Sequence, residues 1–197
     1  MGNYKLVIPS AGTGSRVGPY SKFMNKALVS VGDKPSIVRI IEKFPEDIEI
    51  VIILGYKGDH IEQVVRAFYK NKRQIEFIYV DKYKGKGSGL GLTLIKCKKY
   101  LQQPFVFISC DTIVKGEIRP PNHNWMGYFK VKNSQEYRTL KINNKTITKI
   151  YEKKEQKSTH NVYIGLSGIK DFQIFWESMS DNNKKVIVEG ESYGFKK

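Results

Sequence analysis

The chain has 197 residues, of which 40% are hydrophobic and 27% charged, a composition that suits one soluble domain with a substantial core. Its apolar runs are far too short to span a bilayer, so no membrane partner is expected. The formal net charge of +15 indicates anionic partners. Because the lysines are scattered and no nucleic-acid recognition motif is present, small anionic substrates are favoured, and nucleic-acid binding is the alternative.

The cysteine content is low and fits a reducing compartment. Cys97 and Cys110 are the only cysteines in the sequence, and they are not at metal-ligand spacing. Two buried free thiols in a cytoplasmic protein are therefore expected.

Strand and helix signals alternate through the first half of the chain. Apolar β-branched runs predict strands, and apolar positions three and four apart predict helices. In chain order these are strands over 6–8 and Glu49–Leu54, a helix over 59–69, a strand over 75–80, a helix over 89–101 and a strand over 104–109. Asp59 and Glu62 form a capping-box pattern at the start of the first of these helices. The alternation predicts parallel strands joined by crossover helices.

The pattern changes after Asp111. Strands are predicted over 125–131, 136–142, Thr146–Tyr151 and 162–169, and Asn143-Asn144 is a hairpin signal between the second and the third. Asp171 is predicted to cap a short helix that reaches about Ser180. No repeat, low-complexity segment or linker interrupts the chain, so a single domain over 1–197 with a mixed sheet is expected.

The most informative segment follows the first strand. Gly12 and Gly14 precede Arg16, and Lys26 stands ten residues further on. Glycines after a strand let backbone N–H groups approach a ligand closely. An arginine offers a planar fork for phosphate oxygens, and a lysine offers a point charge. The combination predicts a binding site for a polyphosphate.

This segment resembles the amino-terminal signature of the sugar-phosphate nucleotidyltransferases, which reads Gly-x-Gly-Thr-Arg, two residues and Pro, then Pro-Lys. Five positions fall in register with it: Gly12, Gly14, Arg16, Pro19 and Lys26. Ser15 keeps the hydroxyl of the family's threonine. Asn25 replaces the proline before the lysine and is expected to loosen the loop, because proline would have fixed φ. The resemblance implies a three-layer α/β/α Rossmann-like fold with a mostly parallel mixed central sheet.

A generic glycine turn and a Rossmann dinucleotide site are the alternatives for this segment. A dinucleotide site requires Gly-x-Gly-x-x-Gly that opens directly into a helix. Here Val17 takes the place of the third glycine, and the next helix signal comes only at Lys34. The spacing of Arg16 and Lys26 therefore favours nucleotidyl transfer.

Two further segments match the family. Gly87 and Ser88 lie where a family segment borders the nucleobase, although a flexible glycine loop with a helix cap is the alternative. Asp111 follows a buried strand, at the place of the family's aspartate that binds Mg²⁺. The carboxyl end of a central strand is where α/β sheets bind ligands, and Mg²⁺ takes one or two carboxylates with phosphate oxygens. An aspartate helix cap or Asx-turn is the alternative for Asp111.

The acceptor side of the family's site has a partial counterpart. Glu152 and Lys153 match the family's Glu-Lys-Pro, in which the glutamate hydrogen-bonds the sugar and the lysine meets its phosphate, but Lys154 replaces the proline. A solvated run of charges is the alternative. Tyr163 and Gly165 lie in a segment that resembles the strand lining the acceptor pocket.

The family's late Trp-x-Asp-x-Gly-like segment has no counterpart after Phe175-Trp176. Its aspartate is the family's second metal ligand, so the chain is expected to lack the family's C-terminal segment. Glu189 or Glu191 could substitute for that aspartate, but their spacing does not support it.

The resemblance implies transfer of a nucleotidyl group from an NTP to a sugar phosphate or similar phosphorylated alcohol, with Mg²⁺ as cofactor and release of pyrophosphate. Family habit favours CTP or UTP, and cell-surface or capsular glycan synthesis as the setting. Arg16 and Lys26 would be catalytic. The residues that would cradle the triphosphate are Ala11, Gly12, Thr13, Gly14 and Ser15. Because the late aspartate is missing, a non-catalytic nucleotide-binding or regulatory module is the second interpretation, and a basic nucleic-acid-binding protein is the third.

Overall fold

The computed structural model describes residues 4–70, 72–85, 88–153, 155, 159–180 and 184–196, without the side chains of residues 15–17, 184, 188 and 189. Within these residues the strands are β1 (Lys5–Pro9), β2 (Ser30–Val31), β3 (Lys34–Pro35), β4 (Glu49–Leu54), β5 (Ile75–Tyr79), β6 (Phe105–Ile108), β7 (Trp125–Lys130), β8 (Thr139–Asn143), β9 (Thr146–Tyr151) and β10 (Asn161–Ile169). The α-helices are α1 (Ser36–Ile41), α2 (Gly58–Tyr69), α3 (Leu90–Lys96), α4 (Phe172–Met179) and α5 (Lys184–Glu189). Short 3₁₀ segments cover Ser15–Lys22, Lys26–Leu28, Lys98–Tyr100 and Gly190–Phe195.

One mixed sheet organises the described residues. Its order is β5-β4-β1-β6-β10-β8-β9, and β7 also pairs with β10. The first four strands of that order run parallel, whereas β10 runs antiparallel to its neighbours β6, β7 and β8. The carboxyl ends of the parallel strands therefore share one edge of the sheet, beside the middle of β10.

Helices cover both faces of the parallel half. On one face α1 and α2 pack against side chains such as Ile8 and Ile52. On the other, α3, α4 and α5 pack against Val51 and Phe107. The strands are apolar on both faces because each face meets a helical layer. The predicted three-layer α/β fold with a mixed sheet is confirmed.

The structure corrects several local predictions. The capping box at Asp59 is wrong, because Lys57 occupies the N-cap position with a left-handed φ of 51° and makes no side-chain capping bond, and Asp59 lies within the first turn. The helix predicted over 89–101 is shorter, since α3 ends at Lys96 and is followed by a 3₁₀ turn. The β8–β9 hairpin is confirmed, but its turn residues are Asn144 and Lys145, both with positive φ.

The two cysteines are buried free thiols, as predicted. Burial raises the pKa of the Cys110 thiol to about 11 and that of Cys97 to about 12, so both stay protonated at neutral pH. Among the helices of the described residues, none combines the length and the apolar character that crossing a membrane requires.

Candidate active site

A cleft of about 600 Å³ opens at the carboxyl ends of β1 and β6, and β10 forms part of its wall. Of the residues predicted for the site, those that line the cleft are Ala11, Gly12, Lys26, Ser88, Asp111, Lys153, Tyr163 and Gly165. Lining residues that the motifs did not indicate include Tyr83, Tyr137 and Arg138, and Glu191, which the sequence suggests only as a substitute metal ligand, lines the cleft too. The cleft thus combines the glycine-rich loop, a lysine–aspartate pair and a second charged wall.

Lys26 and Asp111 form the centre of this cleft. Lys26 Nζ lies 3.2 Å from Asp111 Oδ2, although 85 residues separate the two in the chain. Buried Ser36, at the start of α1, helps to bring them together: its Oγ lies 2.9 Å from the carbonyl oxygen of Ala27 and 3.0 Å from that of Cys110. The backbone next to each member of the pair is therefore held by one hydroxyl.

Asn25 fixes the loop that presents Lys26. Its fully buried side-chain Nδ2 lies 3.0 Å from the carbonyl oxygen of Ser10, 3.3 Å from that of Gly12 and 2.8 Å from that of Tyr56, and its Oδ1 accepts a hydrogen bond from the N–H of Ala27. Its φ of −74° is also one that proline adopts. The expected loosening is wrong, because the amide replaces the stiffness of the ring with hydrogen bonds that proline cannot make.

Replacing Asn25 by alanine is expected to lower the free energy of unfolding by about 2–4 kcal/mol, because it leaves buried carbonyl oxygens without a donor. Denaturant unfolding measures this effect. Asn133→Ala, at an exposed asparagine that only accepts a long hydrogen bond from the N–H of Gln135, is the control. Asn25→Pro restores φ without the amide, so full stability in that variant would contradict the explanation.

The glycine-rich loop keeps its N–H groups available. Two of its carbonyl oxygens are bound by protein donors: that of Ala11 accepts from the N–H of Tyr56 at 3.0 Å, and that of Gly12 from Asn25 Nδ2 at 3.3 Å. The N–H groups of residues 11–14 donate to no other residue that the structure describes. Gly14 has a left-handed φ of 65° and lies against the aliphatic part of Lys26. Successive unpaired N–H groups beside a lysine are suited to an anion.

Several predicted site residues lie outside the described part of the chain. Gly87 is one of them, as are the side chains of Ser15 and Arg16. Thr13 and Gly14 belong to the described loop but are not among the residues that line the cleft.

The glycines near Ser88 have a packing role. A Cβ on Gly89 would collide with the carbonyl oxygen of Ile187, and one on Gly91 with that of Val186, so both glycines let the start of α3 approach α5 closely. The Ser88 hydroxyl donates to the carbonyl oxygen of Gly85 at 2.8 Å while the residue lines the cleft. Ser88 and Gly89 line the cleft and Gly91 does not, so only part of this glycine-rich segment faces it.

Gly165 shapes the wall opposite the glycine-rich loop. The register of β10 against β7 shifts between Tyr163 and Ser167, and Gly165 has a left-handed φ of 71°. Its carbonyl oxygen accepts from the N–H of Ser109 at 2.8 Å, and Thr112 Oγ1 donates to the carbonyl oxygen of Ile164 at 2.7 Å. The irregularity thus ties β10 to the loop that carries Asp111.

Gly165→Ala is expected to destabilise the fold by about 1–3 kcal/mol more than Gly85→Ala does. Both glycines have a positive φ, of 71° and 81°, but a Cβ on Gly165 would collide with the Ser109 hydroxyl whereas one on Gly85 would meet open space. Equal denaturation midpoints for the two variants would contradict the close approach of Gly165 to Ser109.

The wall of the cleft near β10 carries a partly buried charged network. Arg138 Nε donates to Glu152 Oε2 at 2.7 Å, and Lys196 Nζ lies 3.4 Å from Glu152 Oε1. Glu152 does not line the cleft, whereas Arg138 does. Buried Tyr163 lines it too and donates to Ser167 Oγ at 3.3 Å. Burial, reinforced by the charge of Glu191, raises the pKa of Tyr163 well above its usual range, so it stays a hydrogen-bond donor.

Asp111 fits a magnesium ion as a single carboxylate. Its side chain is 53% exposed and lines the cleft beside Lys26, and Mg²⁺ needs only one or two carboxylates when phosphate oxygens and waters complete the shell. No group of three or more His, Cys, Asp or Glu among the described residues could hold a metal ion. Glu191 lines the same cleft, but it is only 2% exposed, which suits it poorly to a Mg²⁺ ion that keeps several waters.

Comparison of the sequence with known proteins finds nucleotidyltransferases. The chain is 28% identical over 139 residues to the bifunctional protein GlmU of Methanococcus vannielii. The matched region covers 69% of this chain and 32% of that protein. It is 26% identical over 136 residues to a UTP–glucose-1-phosphate uridylyltransferase of Staphylococcus epidermidis, covering 57% of this chain and 46% of that enzyme. The chain spans about a third to a half of the length of the curated relatives it matches. No protein-family model matches it.

Solved structures share the fold. A protein from Bacillus anthracis described as a glucose-1-phosphate thymidylyltransferase superposes with a TM-score of 0.77 at 23% identity, over 93% of this chain and 78% of that one. The CTP:phosphocholine cytidylyltransferase of Streptococcus pneumoniae superposes with a TM-score of 0.75 at 20% identity, over 90% and 76%. Together with the sequence relatives, these structures confirm the resemblance to sugar-phosphate nucleotidyltransferases.

Proposed function

We propose that the chain transfers a nucleotidyl group from an NTP to a sugar phosphate or similar phosphorylated alcohol and releases pyrophosphate. The observation that carries the proposal is the 3.2 Å pair of Lys26 and Asp111, placed beside unpaired loop N–H groups at the carboxyl edge of the sheet. Ligands of α/β folds bind at this edge. Names of the relatives and structural neighbours support the reaction class.

The reaction would proceed by in-line attack. A phosphomonoester oxygen of the acceptor attacks the α-phosphorus of the NTP, the new P–O bond forms, and the bond to the leaving pyrophosphate breaks. No covalent intermediate with the protein is required. Catalysis then consists of positioning the two phosphates and neutralising their charge.

Each side chain has a role in this proposal. The loop over 11–15 would hold the triphosphate through its N–H groups, and Arg16 would hold the leaving phosphates. The Lys26 ammonium has three donors, so it can contact both Asp111 and an α-phosphate oxygen. Asp111 would hold Mg²⁺, which when bound neutralises phosphate charge. Ser88 would border the nucleobase, together with Gly87.

The acceptor would lie on the wall formed by β10 and the residues before β8. Lys153 and Arg138 both line the cleft there and supply positive charge for the acceptor phosphate. Tyr163 and Gly165 line the same wall. We propose CTP or UTP as the nucleotide and cell-surface or capsular glycan synthesis as the setting, and both proposals rest on the resemblance to the family.

The test is pyrophosphate release with Mg²⁺, each of ATP, GTP, CTP, UTP and dTTP, and a pooled panel of sugar and alcohol phosphates. Turnover with one nucleotide supports the proposal, and splitting the pool then identifies the acceptor. A melting temperature that rises with one NTP, without any pyrophosphate release, would instead support the non-catalytic nucleotide-binding module. Affinity for DNA or RNA that falls steeply with salt, with neither of these results, would support the nucleic-acid alternative.

A further inference from the structure

A buried carboxylate faces the cleft from the end of the described chain. Glu191 lies in the 3₁₀ segment Gly190–Phe195, is only 2% exposed and lines the cleft. Its Oε1 lies 3.9 Å from Arg138 Nη1. The Tyr163 hydroxyl lies near the carboxylate, but no hydrogen bond of ordinary geometry reaches the buried Oε2 from the described residues. A buried acceptor without a donor is costly, and a ligand that donates to it would remove that cost.

Glu152 is less suited to meet a ligand. Its Oε2 already accepts from Arg138 Nε at 2.7 Å. Its Oε1 is also buried without a hydrogen-bond partner among the described residues, but it lies 3.4 Å from the charge of Lys196 Nζ, and Glu152 does not line the cleft. Arg138 therefore contacts both carboxylates, with Glu152 away from the cleft and Glu191 at its surface. Glu152, which resembles the family's sugar-binding glutamate, thus forms an ion pair with Arg138. The carboxylate that lines the cleft is that of Glu191.

The charges around Glu191 select the kind of ligand group. Arg138 is in ionic contact with it, and Lys153 lines the same cleft. Because Glu191 is only 2% exposed, a metal ion or an ammonium group would meet repulsion that water screens far less than at the half-exposed Asp111. A hydroxyl carries no charge and can donate to the carboxylate. Burial raises the pKa of the Glu191 carboxyl, with Arg138 opposing the shift, as expected for a carboxylate in a water-poor site where a hydrogen bond is strong.

We propose that Glu191 accepts a hydrogen bond from a hydroxyl of the acceptor, so that the cleft selects a polyhydroxylated sugar phosphate over a phosphorylated amine such as phosphocholine. The inference rests on the proposed function for the phosphate end of the acceptor. Glu191 is thus a specificity-determining residue, separate from the phosphate-binding groups.

The experiment measures binding of glucose 1-phosphate, its monodeoxy analogues and phosphocholine by calorimetry, with a non-hydrolysable UTP or CTP analogue present. In the unsubstituted chain, one deoxy analogue should bind about 10–100-fold more weakly than glucose 1-phosphate. Glu191→Gln, which keeps a neutral acceptor, should reduce that difference about 10-fold, and Glu191→Met should abolish it. Glu49→Gln, which removes the partner of Lys5 at the opposite edge of the sheet, is the matched control.

Three results would overturn the inference. The first is that glucose 1-phosphate does not bind the unsubstituted chain. The second is that folded Glu191 variants discriminate among the analogues as the unsubstituted chain does. The third is that the affinities of the Glu191 variants for glucose 1-phosphate and for phosphocholine fall by the same factor, as a purely structural role of Glu191 would require. Selective binding of the sugar phosphate without pyrophosphate release would refute the proposed reaction and leave the role of Glu191 standing.

Discussion

Lys26→Ala is expected to lower the rate of pyrophosphate release by about 10²–10³-fold while the protein stays folded. Lys26 Nζ lies 3.2 Å from Asp111 Oδ2, and its side chain is 23% exposed, so the ammonium is held in the cleft yet reachable by a phosphate. An ammonium in a partly dehydrated cleft stabilises the extra charge of the transition state far better than water does. Removing the ammonium leaves the negative charge of the transition state without this neutralising group.

Lys22→Ala is the matched control. Lys22 ends the 3₁₀ segment Ser15–Lys22 just before Lys26 and is exposed. Its removal changes the net charge by the same amount without touching the cleft. Because the Lys26–Asp111 ion pair is partly exposed, its loss should cost at most about 1 kcal/mol of stability, which thermal unfolding will verify. A rate for Lys26→Ala equal to that of the Lys22 variant would remove Lys26 from the mechanism.

The parallel half of the fold was predictable because its strands are apolar on both faces. Residues 50–54 in β4 are all completely buried, and such a continuous β-branched run has few interpretations other than a central strand. Helix ends were harder to predict. Helix α2 begins after Lys57, whose backbone is left-handed, and no side chain caps it. A sequence pattern does not reveal this backbone conformation.

The site was predictable only where its residues follow strand ends in recognisable motifs. Lys26 and Asp111 were found in this way, and the structure brings them together. Arg138 carries no motif, and the sequence suggests Glu191 only as a substitute metal ligand, because the contacts of both depend on how the ends of β8 and β9 meet the segment Gly190–Phe195. A single buried acid looks no different in sequence from a surface one.

Asn25 shows why a local interpretation of a departure can be wrong. The sequence shows a lost proline, but it does not show that the carbonyl oxygens of Ser10 and Tyr56 lie within reach of the amide. Gly89 and Gly91 show a similar dependence on distant partners, since the close approach of α5 requires their lack of a side chain. The roles of these residues are set by contacts that are far away in the chain.

Asp111→Asn is expected to lower the rate by about 10³-fold, because a catalytic metal ion contributes several kcal/mol of charge stabilisation. Asparagine keeps the size of the side chain but loses the charge, and Asp111 is exposed enough for the fold to tolerate the change. Binding of Mn²⁺, followed by electron paramagnetic resonance with CTP or UTP present, should weaken in parallel with the rate.

Asp33→Asn provides the control for Asp111. Asp33 is an exposed carboxylate that pairs with Arg39 and lies outside the cleft, so its variant should keep both the rate and the affinity for Mn²⁺. The two readouts separate the roles of Asp111. If Asp111→Asn lost the rate but kept Mn²⁺ bound, the nucleotide phosphates alone would hold the ion, and the carboxylate would act by orienting the Lys26 ammonium. If it kept both, the lysine–aspartate pair would not be the centre of catalysis, and other groups would have to hold the metal ion and neutralise the phosphate charge.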